Sequence, residues 1–385
     1  MRTINILGST GSIGTQALQI ASLHPERFRV NAITAHRNAD ALFAQVREFR
    51  PVMAGLTGME SHEVQIPEDL RFCDWRFGRE ALLCAAADVP CDDVLVSVVG
   101  MVGLPAVMAA RKAGRRVLLA NKEALIAGGK LVMAACPDGE DGPTLIPVDS
   151  EHSAIYQCLK ASQGNSYEKI LLTASGGAFR NYTLEQLENA TLEQALTHPN
   201  WNMGAKITVD SASMFNKALE IVEAKWLFNA KPEQIEVLIH PQSIVHSMIQ
   251  FRDGAVLAQL GAPDMRVPIA YAMAYPERIV TDAPKADFAA IGQCTFFAAD
   301  TVRFPAIRIA YETLRAGGAA SCMMNAANEE ANAHFRAGKM KFTDIARVVE
   351  NTLQRAGDLP ADTIEQVYFA DEKARSIARE EMAKL

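Results

Sequence analysis

The 385-residue sequence predicts an α/β protein: a sheet of strands and helices first, an α+β segment after it, and a helical C-terminal part. Three observations carry this. The chain opens with the apolar stretch Ile4-Asn5-Ile6-Leu7, a glycine-rich turn GSTGSIG (8–14), and a helical pattern over 15–23. Continuous apolar runs recur at 93–99 and 116–120, as expected for parallel strands covered by helices on both faces. From about Phe304, apolar residues recur at helical spacing through 306–316, 321–336, 343–355 and 363–384.

The bulk numbers narrow the function. Apolar residues make up 49% and charged residues 22%, which is ordinary for a globular chain long enough for two or three cores. The formal charge of −7 speaks against a broad nucleic-acid surface, while leaving room for a small basic pocket that takes a phosphorylated metabolite. Seven cysteines without short paired spacing form no disulfide or zinc framework. The start MRTINILGST enters a strand at once, without the apolar core of a signal peptide, and no run reaches the roughly 18 apolar residues of a membrane span. The expected location is the cytoplasm.

Strand, glycine-rich turn and helix together form the first unit of a Rossmann-like dinucleotide fold. Glycine lets backbone N–H groups approach a pyrophosphate, and the helix start adds partial positive charge. The spacing is G-x-x-G-x-x-G rather than G-x-G-x-x-G, and a plain structural turn is the alternative. A second strand (29–34) runs into His36-Arg37-Asn38. An NAD site usually has an acid there for the ribose diol; Arg37 instead suits a 2′-phosphate and points to NADP, unless it is simply a solvated arginine. The run at 116–120 ends in Asn121-Lys122-Glu123. Ligands bind beyond the carboxyl ends of strands in such sheets, so Lys122 is placed for an anionic ligand, with Asn121 and Glu123 as hydrogen-bond partners.

Next comes Thr144-Leu145-Ile146, then Pro147-Val148-Asp149-Ser150-Glu151-His152-Ser153. On a strand, Asp149 and Glu151 project to one side. A metal ion, a basic partner or exposure to water would each relieve their repulsion. A strand at 170–174 leads into Ser175-Gly176-Gly177, a candidate phosphate cradle. The stretch HPNWNMG (198–204) reads either as buried structure around Trp201 or as a lid that closes over a ligand. A strand is expected at 206–209, a helix cap at Asp210-Ser211-Ala212-Ser213, and then a helix whose Asn216, Lys217 and Glu220 share one face. An ordinary surface pair is the bland alternative for Lys217 and Glu220. Asp149 and Glu151 with a helical carboxylate, for which Glu220 is the candidate, would make an all-oxygen site for Mg²⁺ or Mn²⁺. A hard cation beside a nicotinamide implies a hydroxy-ketone or hydroxy-aldehyde substrate. Strands at 235–239, 245–251 and 255–260 follow, the last two joined by the hairpin signal Asp253-Gly254, in the manner of an outer sheet or subunit interface. Asn325, Asn328 and Glu329 read as polar face residues of a scaffold helix.

The ordered set GSTGSIG (8–14), NKE (121–123), PVDSEHSA (147–154), SGG (175–177), HPNWNMG (198–204) and DSASMFNK with Glu220 closely resembles the 1-deoxy-D-xylulose 5-phosphate reductoisomerase family over essentially the whole chain. The resemblance implies an NADPH-binding domain (1–148), a catalytic, metal-binding and dimerisation domain (149–275), a linker (276–303) and a C-terminal helical domain (304–385), assembled as a homodimer. It implies NADPH contacts at Thr10, Gly11, Ser12, Ile13, Arg37, Asn38, Asn121, Glu123 and Gly204, and one divalent cation on Asp149, Glu151 and Glu220. Substrate would meet Lys122, Ser150, Glu151, Ser175, His198, Ser211, Asn216, Lys217 and Glu220 under Trp201, with Ser175, Ser211, Asn216 and Lys217 around its phosphate. Lys122 and His198 would join the three acids as catalytic residues, and His152, beside the ligands, would at most touch them and not the ion. The implied reaction is a skeletal rearrangement, by retro-aldol and aldol steps or a direct ketol shift, followed by reduction to 2-C-methyl-D-erythritol 4-phosphate in non-mevalonate isoprenoid biosynthesis.

Three positions depart from the family pattern: Ala178 replaces a proline, His36 a glycine and Phe215 a methionine. None removes a catalytic side chain. Two other readings share the first domain. A simple NADP-dependent sugar-phosphate dehydrogenase would leave the carbon skeleton intact, and a non-enzymatic NADP-binding regulator would turn nothing over.

Overall fold

Seven parallel strands make the first sheet of the computed structural model, which describes residues 1–139, 142–201 and 203–385. They are β1 (Arg2–Leu7), β2 (Phe28–Ala35), β3 (Met53–Leu56), β4 (Asp74–Phe77), β5 (Asp93–Val96), β6 (Arg116–Leu119) and β7 (Leu145–Pro147), in the order β4-β3-β2-β1-β5-β6-β7. Leu7 pairs with Thr34 on one side and Val96 on the other, so the strand order reverses at the end of β1. That reversal is where a doubly wound sheet opens a ligand crevice. The expected strand at 93–99 stops at Val96, because the Ser97 hydroxyl turns back to donate to the Leu7 carbonyl at 2.7 Å.

The chain divides into two compact units. The first comprises Met1–Ala124, Val132–Ser153 and Asp264–Ala283. Its core runs from Ile4, Ile6 and Ile33 through Leu95 and Leu118 to Ile269 and Met273. The last two lie on the helix Arg266–Ala274, which packs against the helix Ser12–Leu23. Arg2 Nη1 ties that return segment down by donating to the carbonyls of Met273 and Tyr275 at 3.0 and 3.2 Å. The sequence reading had grouped this helix with the middle of the chain.

The second unit comprises Leu125–Leu131, Ala154–Pro263 and Pro284–Leu385. Its sheet holds β8 (Tyr167–Ala174), β9 (Ile235–Ile239), β10 (Val245–Phe251), β11 (Val256–Leu260) and β12 (Phe297–Ala298), in the order β11-β10-β8-β9-β12. The hairpin of β10 and β11 forms as expected, with Gly254 at φ +86°, a left-handed conformation that glycine adopts without strain. Helices Ala306–Ala316, Ala320–Arg336, Asp344–Ala356 and Ile364–Met382 follow the expected pattern to within two residues. The helix Phe215–Phe228 packs on Ala306–Ala316 and brings Phe215, Leu219 and Val222 into the core.

Two local expectations are corrected. Residues 206–209 are not a strand: they belong to the helix Ala205–Ala212. β-Branched Ile207, Thr208 and Val209 favour strand locally, but burial of Thr208 and Val209 on a helical face outweighs that propensity. Nor do Asp210–Ser213 cap the next helix. The chain turns at Met214, φ +63°, and the helix starts at Phe215.

Candidate active site

At its carboxyl end β1 runs into Gly8, φ +90°, and the helix Ser12–Leu23 starts after Gly11. A Cβ on Gly8 would stand 2.9 Å from the Ser97 carbonyl oxygen, and one on Gly14 would stand 2.3 Å from the Gly8 oxygen. Both glycines are therefore fixed by close backbone approach. Gly11 and Ser12 are exposed, Thr10 and Ile13 half-buried, and the first-turn amides lack intrahelical acceptors, as at any helix start. Arg37 is exposed at the end of β2 and forms no ion pair among the described residues. Its neighbour Asn38 caps the next helix by accepting from the Ala41 amide at 3.2 Å.

Asn121 is buried, and its amide is taken up by the protein. It donates to the carbonyls of Val98 and Gly100 at 3.0 and 3.1 Å and to Glu123 Oε2 at 2.8 Å, while its oxygen caps Ala124 N–H at 2.9 Å. The side chain thus fixes the loop after β5 to the start of the helix Lys122–Ala135. Lys122, one residue on, reaches Asp149 Oδ2 at 2.5 Å.

Asp149 and Glu151 do not sit on a strand, as their spacing had suggested. The strand β7 ends at Pro147 and a helix begins at Ser150. Asp149 caps that helix: its Oδ1 accepts from the amides of Glu151 and His152 at 3.0 and 3.1 Å, and His152 Nδ1 lies 3.1 Å away. Glu151 lies in the first turn, hydrogen-bonded by the Ser150 hydroxyl. An acid at this end of a helix is favoured by the helix dipole. Burial pushes the Asp149 carboxyl up, but the charges of Lys122 and His152 and their hydrogen bonds outweigh it and hold the group well below the usual carboxylate range.

In the second unit, β8 ends at Ala174, and Ser175 opens the turn with Gly176 and Gly177 at φ +84° and +67°. Ser175 Oγ accepts from Gly177 N–H at 3.2 Å and lies 3.0 Å from His198 Nε2. The other ring nitrogen, Nδ1, accepts from the amides of Asn200 and Trp201 at 3.1 and 2.9 Å. Those two bonds require a lone pair on Nδ1, so the neutral ring carries its proton on Nε2 and donates it to Ser175. The Ser175 hydroxyl then has two donors on its oxygen and its own proton left to give. Burial, with a contribution from Arg180, lowers His198 from 6.5 to about 4 and keeps it neutral.

The HPNWNMG segment leans on the β9–β10 connection. Asn200 Nδ2 donates to the Pro241 carbonyl at 2.6 Å and to Ser243 Oγ at 2.8 Å, and the Trp201 ring lies 6.2 Å from His246. Asn202 lies outside the described residues. Gly204 is exposed and precedes the helix Ala205–Ala212, which carries Ser211 in its last turn. A Cβ on Gly177 would meet the Ser211 oxygen at 2.4 Å, so this helix end and the serine–glycine turn are in backbone contact.

On the helix Phe215–Phe228, Asn216, Lys217 and Glu220 share a face as expected. Asn216 Nδ2 donates to Glu220 Oε1 at 2.5 Å and Lys217 pairs with Oε2. Glu220 and Lys217 are 1% and 3% exposed, so the ordinary surface pair is excluded. The sequence reading missed Arg180, which is half-buried near His198 with no ion-pair partner among the described residues. It stands five residues past Ser175, and only its position beside the turn would have drawn attention to it.

Three family models match the chain: 1-deoxy-D-xylulose 5-phosphate reductoisomerase over residues 4–129, and C-terminal domains of the same enzyme over 145–228 and 260–377. A 1-deoxy-D-xylulose 5-phosphate reductoisomerase of Ralstonia nicotianae is 50% identical over 389 residues, covering 100% of this chain and 98% of its own length. One of Bacteroides fragilis is 46% identical over 385 residues, with coverage of 100% and 98%. Among solved structures, the Zymomonas mobilis reductoisomerase in complex with NADPH superposes with TM-score 0.91 at 39% identity, covering 100% of both chains. A reductoisomerase in complex with NADPH, fosmidomycin and magnesium gives the same score and identity, with coverage of 100% and 98%.

Proposed function

We propose a division of labour among the residues of this chain, which belongs to the 1-deoxy-D-xylulose 5-phosphate reductoisomerase family. The protein is an NADPH- and divalent-cation-dependent enzyme. It rearranges and reduces 1-deoxy-D-xylulose 5-phosphate to 2-C-methyl-D-erythritol 4-phosphate, a step in isoprenoid precursor biosynthesis.

NADPH is assigned to Thr10, Gly11, Ser12 and Ile13 at the first helix start, to Arg37 and Asn38 after β2, and to Asn121, Glu123 and Gly204. The close-packed Gly8 and Gly14 turn and the Arg37 guanidinium, which has no ion pair among the described residues, support this. The cation is assigned to Asp149, Glu151 and Glu220, a set of carboxylate oxygens that fits Mg²⁺ or Mn²⁺ and not a soft metal. When bound, NADPH supplies hydride, and the cation supplies a Lewis acid that polarises substrate oxygens.

The chain's own side chains do the rest. Ser175, Ser211, Asn216 and Lys217 are assigned to the substrate phosphate, with the neutral His198 holding Ser175 so that its hydroxyl proton points outward. Lys122, Ser150, Glu151 and Glu220 are assigned to the reacting end, where the Lys122 ammonium can donate to developing oxyanion charge. Trp201 is assigned to covering the substrate and excluding water. The observation that carries this reading is the buried Asn216–Lys217–Glu220 cluster: an acid and an amine are held out of water on the helix next to Ser211.

We extend the reading to a cytoplasmic homodimer without nucleic-acid or membrane partners. The edge strand β11 exposes Val256, Leu257 and Leu260, which suits a second copy of the chain. The net charge of −7 speaks against nucleic acid, and no helix among the described residues is long and apolar enough to cross a membrane.

The test is product analysis with 1-deoxy-D-xylulose 5-phosphate, NADPH and Mg²⁺ or Mn²⁺. One branched product per NADPH is expected. Glu220→Gln should lower kcat about 100-fold, comparable to losing a strong transition-state contact, and leave NADPH affinity nearly unchanged. A product with an unchanged carbon skeleton, or full activity after exhaustive chelation, would overturn the reading.

A further inference from the structure

Two asparagines of the helix Ala320–Arg336, whose polar face the sequence reads as scaffold, converge on one buried carboxylate. Asp210 is 1% exposed, and Asn328 and Asn332 are fully buried. Both asparagines donate through Nδ2 to Asp210 Oδ1, at 2.9 and 2.8 Å, across sequence separations of 118 and 122 residues. Lys206 pairs with the other oxygen at 3.0 Å. Asn332 Nδ2 also donates to the Lys206 carbonyl at 3.0 Å, and its own oxygen accepts from Arg336 at 2.7 Å. Turning its nitrogen to Asp210 leaves Asn328 Oδ1 buried without a hydrogen-bond donor. That orientation is costly, and the carboxylate dictates it, since the reverse would set two acceptors against each other.

Asp210 precedes Ser211 in the helix Ala205–Ala212, and the end of that helix is in backbone contact with Gly177 of the Ser175 turn. We propose that Asn328 and Asn332 are positioning residues for substrate binding. Through Asp210 they fix the helix that carries Ser211 and, by its contact with Gly177, the turn that carries Ser175. The helix Ala320–Arg336 thereby sets the geometry of the phosphate-binding serines without touching substrate. This rests on the assignment of Ser175 and Ser211 to the phosphate.

The experiment compares Asn328→Ala, Asn332→Ala and the isosteric Asp210→Asn with two references. Ser211→Ala tests the phosphate assignment itself. Val349→Ala, a core residue on the helix Asp344–Ala356, supplies a loss of thermal stability unrelated to the site. In the brace variants the substrate KM should rise about tenfold, while kcat stays within about threefold and NADPH affinity within about twofold, since only a binding geometry is relaxed. Val349→Ala should leave KM unchanged. If Ser211→Ala raises KM and the folded brace variants do not, or if Val349→Ala raises it equally, the positioning role is wrong. If Ser211→Ala leaves KM unchanged, the phosphate assignment is what fails. Should Asn328→Ala not fold, Asp210→Asn, which keeps the shape and one acceptor oxygen, decides the matter.

Discussion

Replacing His198 by glutamine removes a ring whose protonation state follows from its hydrogen bonds. In the folded protein Nδ1 must accept two amides, so protonating it breaks both bonds and leaves a charged ring half-buried near Arg180. The displacement from 6.5 to about 4 is worth roughly 3 kcal/mol at about 1.4 kcal/mol per tenfold, a ceiling because the ring is only partly buried. The sign follows from linkage. The unfolded chain takes up the proton first as pH falls below 6.5, so wild type loses stability relative to His198→Gln between about pH 6.5 and 4. Below that range both states are protonated and the loss stops growing. The direct assay is a pH titration of the protein labelled at histidine Cε1, with the His198 resonance identified among the eight histidines as the one missing from His198→Gln. Its shift should stay that of a neutral Nε2–H ring down to about pH 5. Arg180→Met should raise the midpoint without restoring 6.5, because burial is the larger cause. A midpoint above 6 in wild type, or an Nδ1–H tautomer, would refute both the proton assignment and its use in orienting Ser175.

Arg37→Ala should erase much of the preference for NADPH over NADH; the ratio of kcat/KM for the two cofactors measures this, and an unchanged ratio removes Arg37 from 2′-phosphate recognition. With Trp75 and Trp226 replaced by phenylalanine, fluorescence of Trp201 should change when a phosphonate substrate analogue binds; no change would make the segment at 198–204 a fixed wall instead of a lid. Leu257→Lys on the exposed edge of β11 should shift the mass measured by light scattering from dimer towards monomer, and a dimer of undiminished stability would move the subunit interface elsewhere.

The sequence was most informative where a repeat of apolar residues or a glycine had one physical meaning. GSTGSIG specifies a backbone approach that side chains would block, and the amphipathic runs after Phe304 can bury one stripe only as helices. Strands β3 and β4 escaped notice because MAGL and DWRF lack the run of Val and Leu that marks the equally short β5 and β6. The run KITV reads as strand by propensity and folds as helix because its buried face faces other helices. The hold of Asn328 and Asn332 on Asp210 has no local signature at all, since the partners lie more than a hundred residues apart.

The carboxylates show most clearly what residue types alone leave out. Read as a strand pair, Asp149 and Glu151 are two like charges whose repulsion a metal ion, a basic partner or water would relieve. The structure supplies protein cations and donors instead. Asp149 has Lys122 on one oxygen and two amides on the other, while Glu220 has Lys217 and Asn216. Bare acids held together would repel and destabilise the fold, whereas these are satisfied within it. On the assignment proposed above, a divalent ion on these oxygens would compete with two ammonium groups, which would weaken its binding relative to an unpaired acid cluster. An ion there would release Lys122 and Lys217 from the acids, leaving two cations for an anionic ligand. Acid and lysine at each position are thus one device. Lys122 meets Asp149 because each follows one of the neighbouring parallel strands β6 and β7, whereas Lys217 meets Glu220 through an i, i+3 spacing on one helix, and only the second pairing is legible in the local sequence.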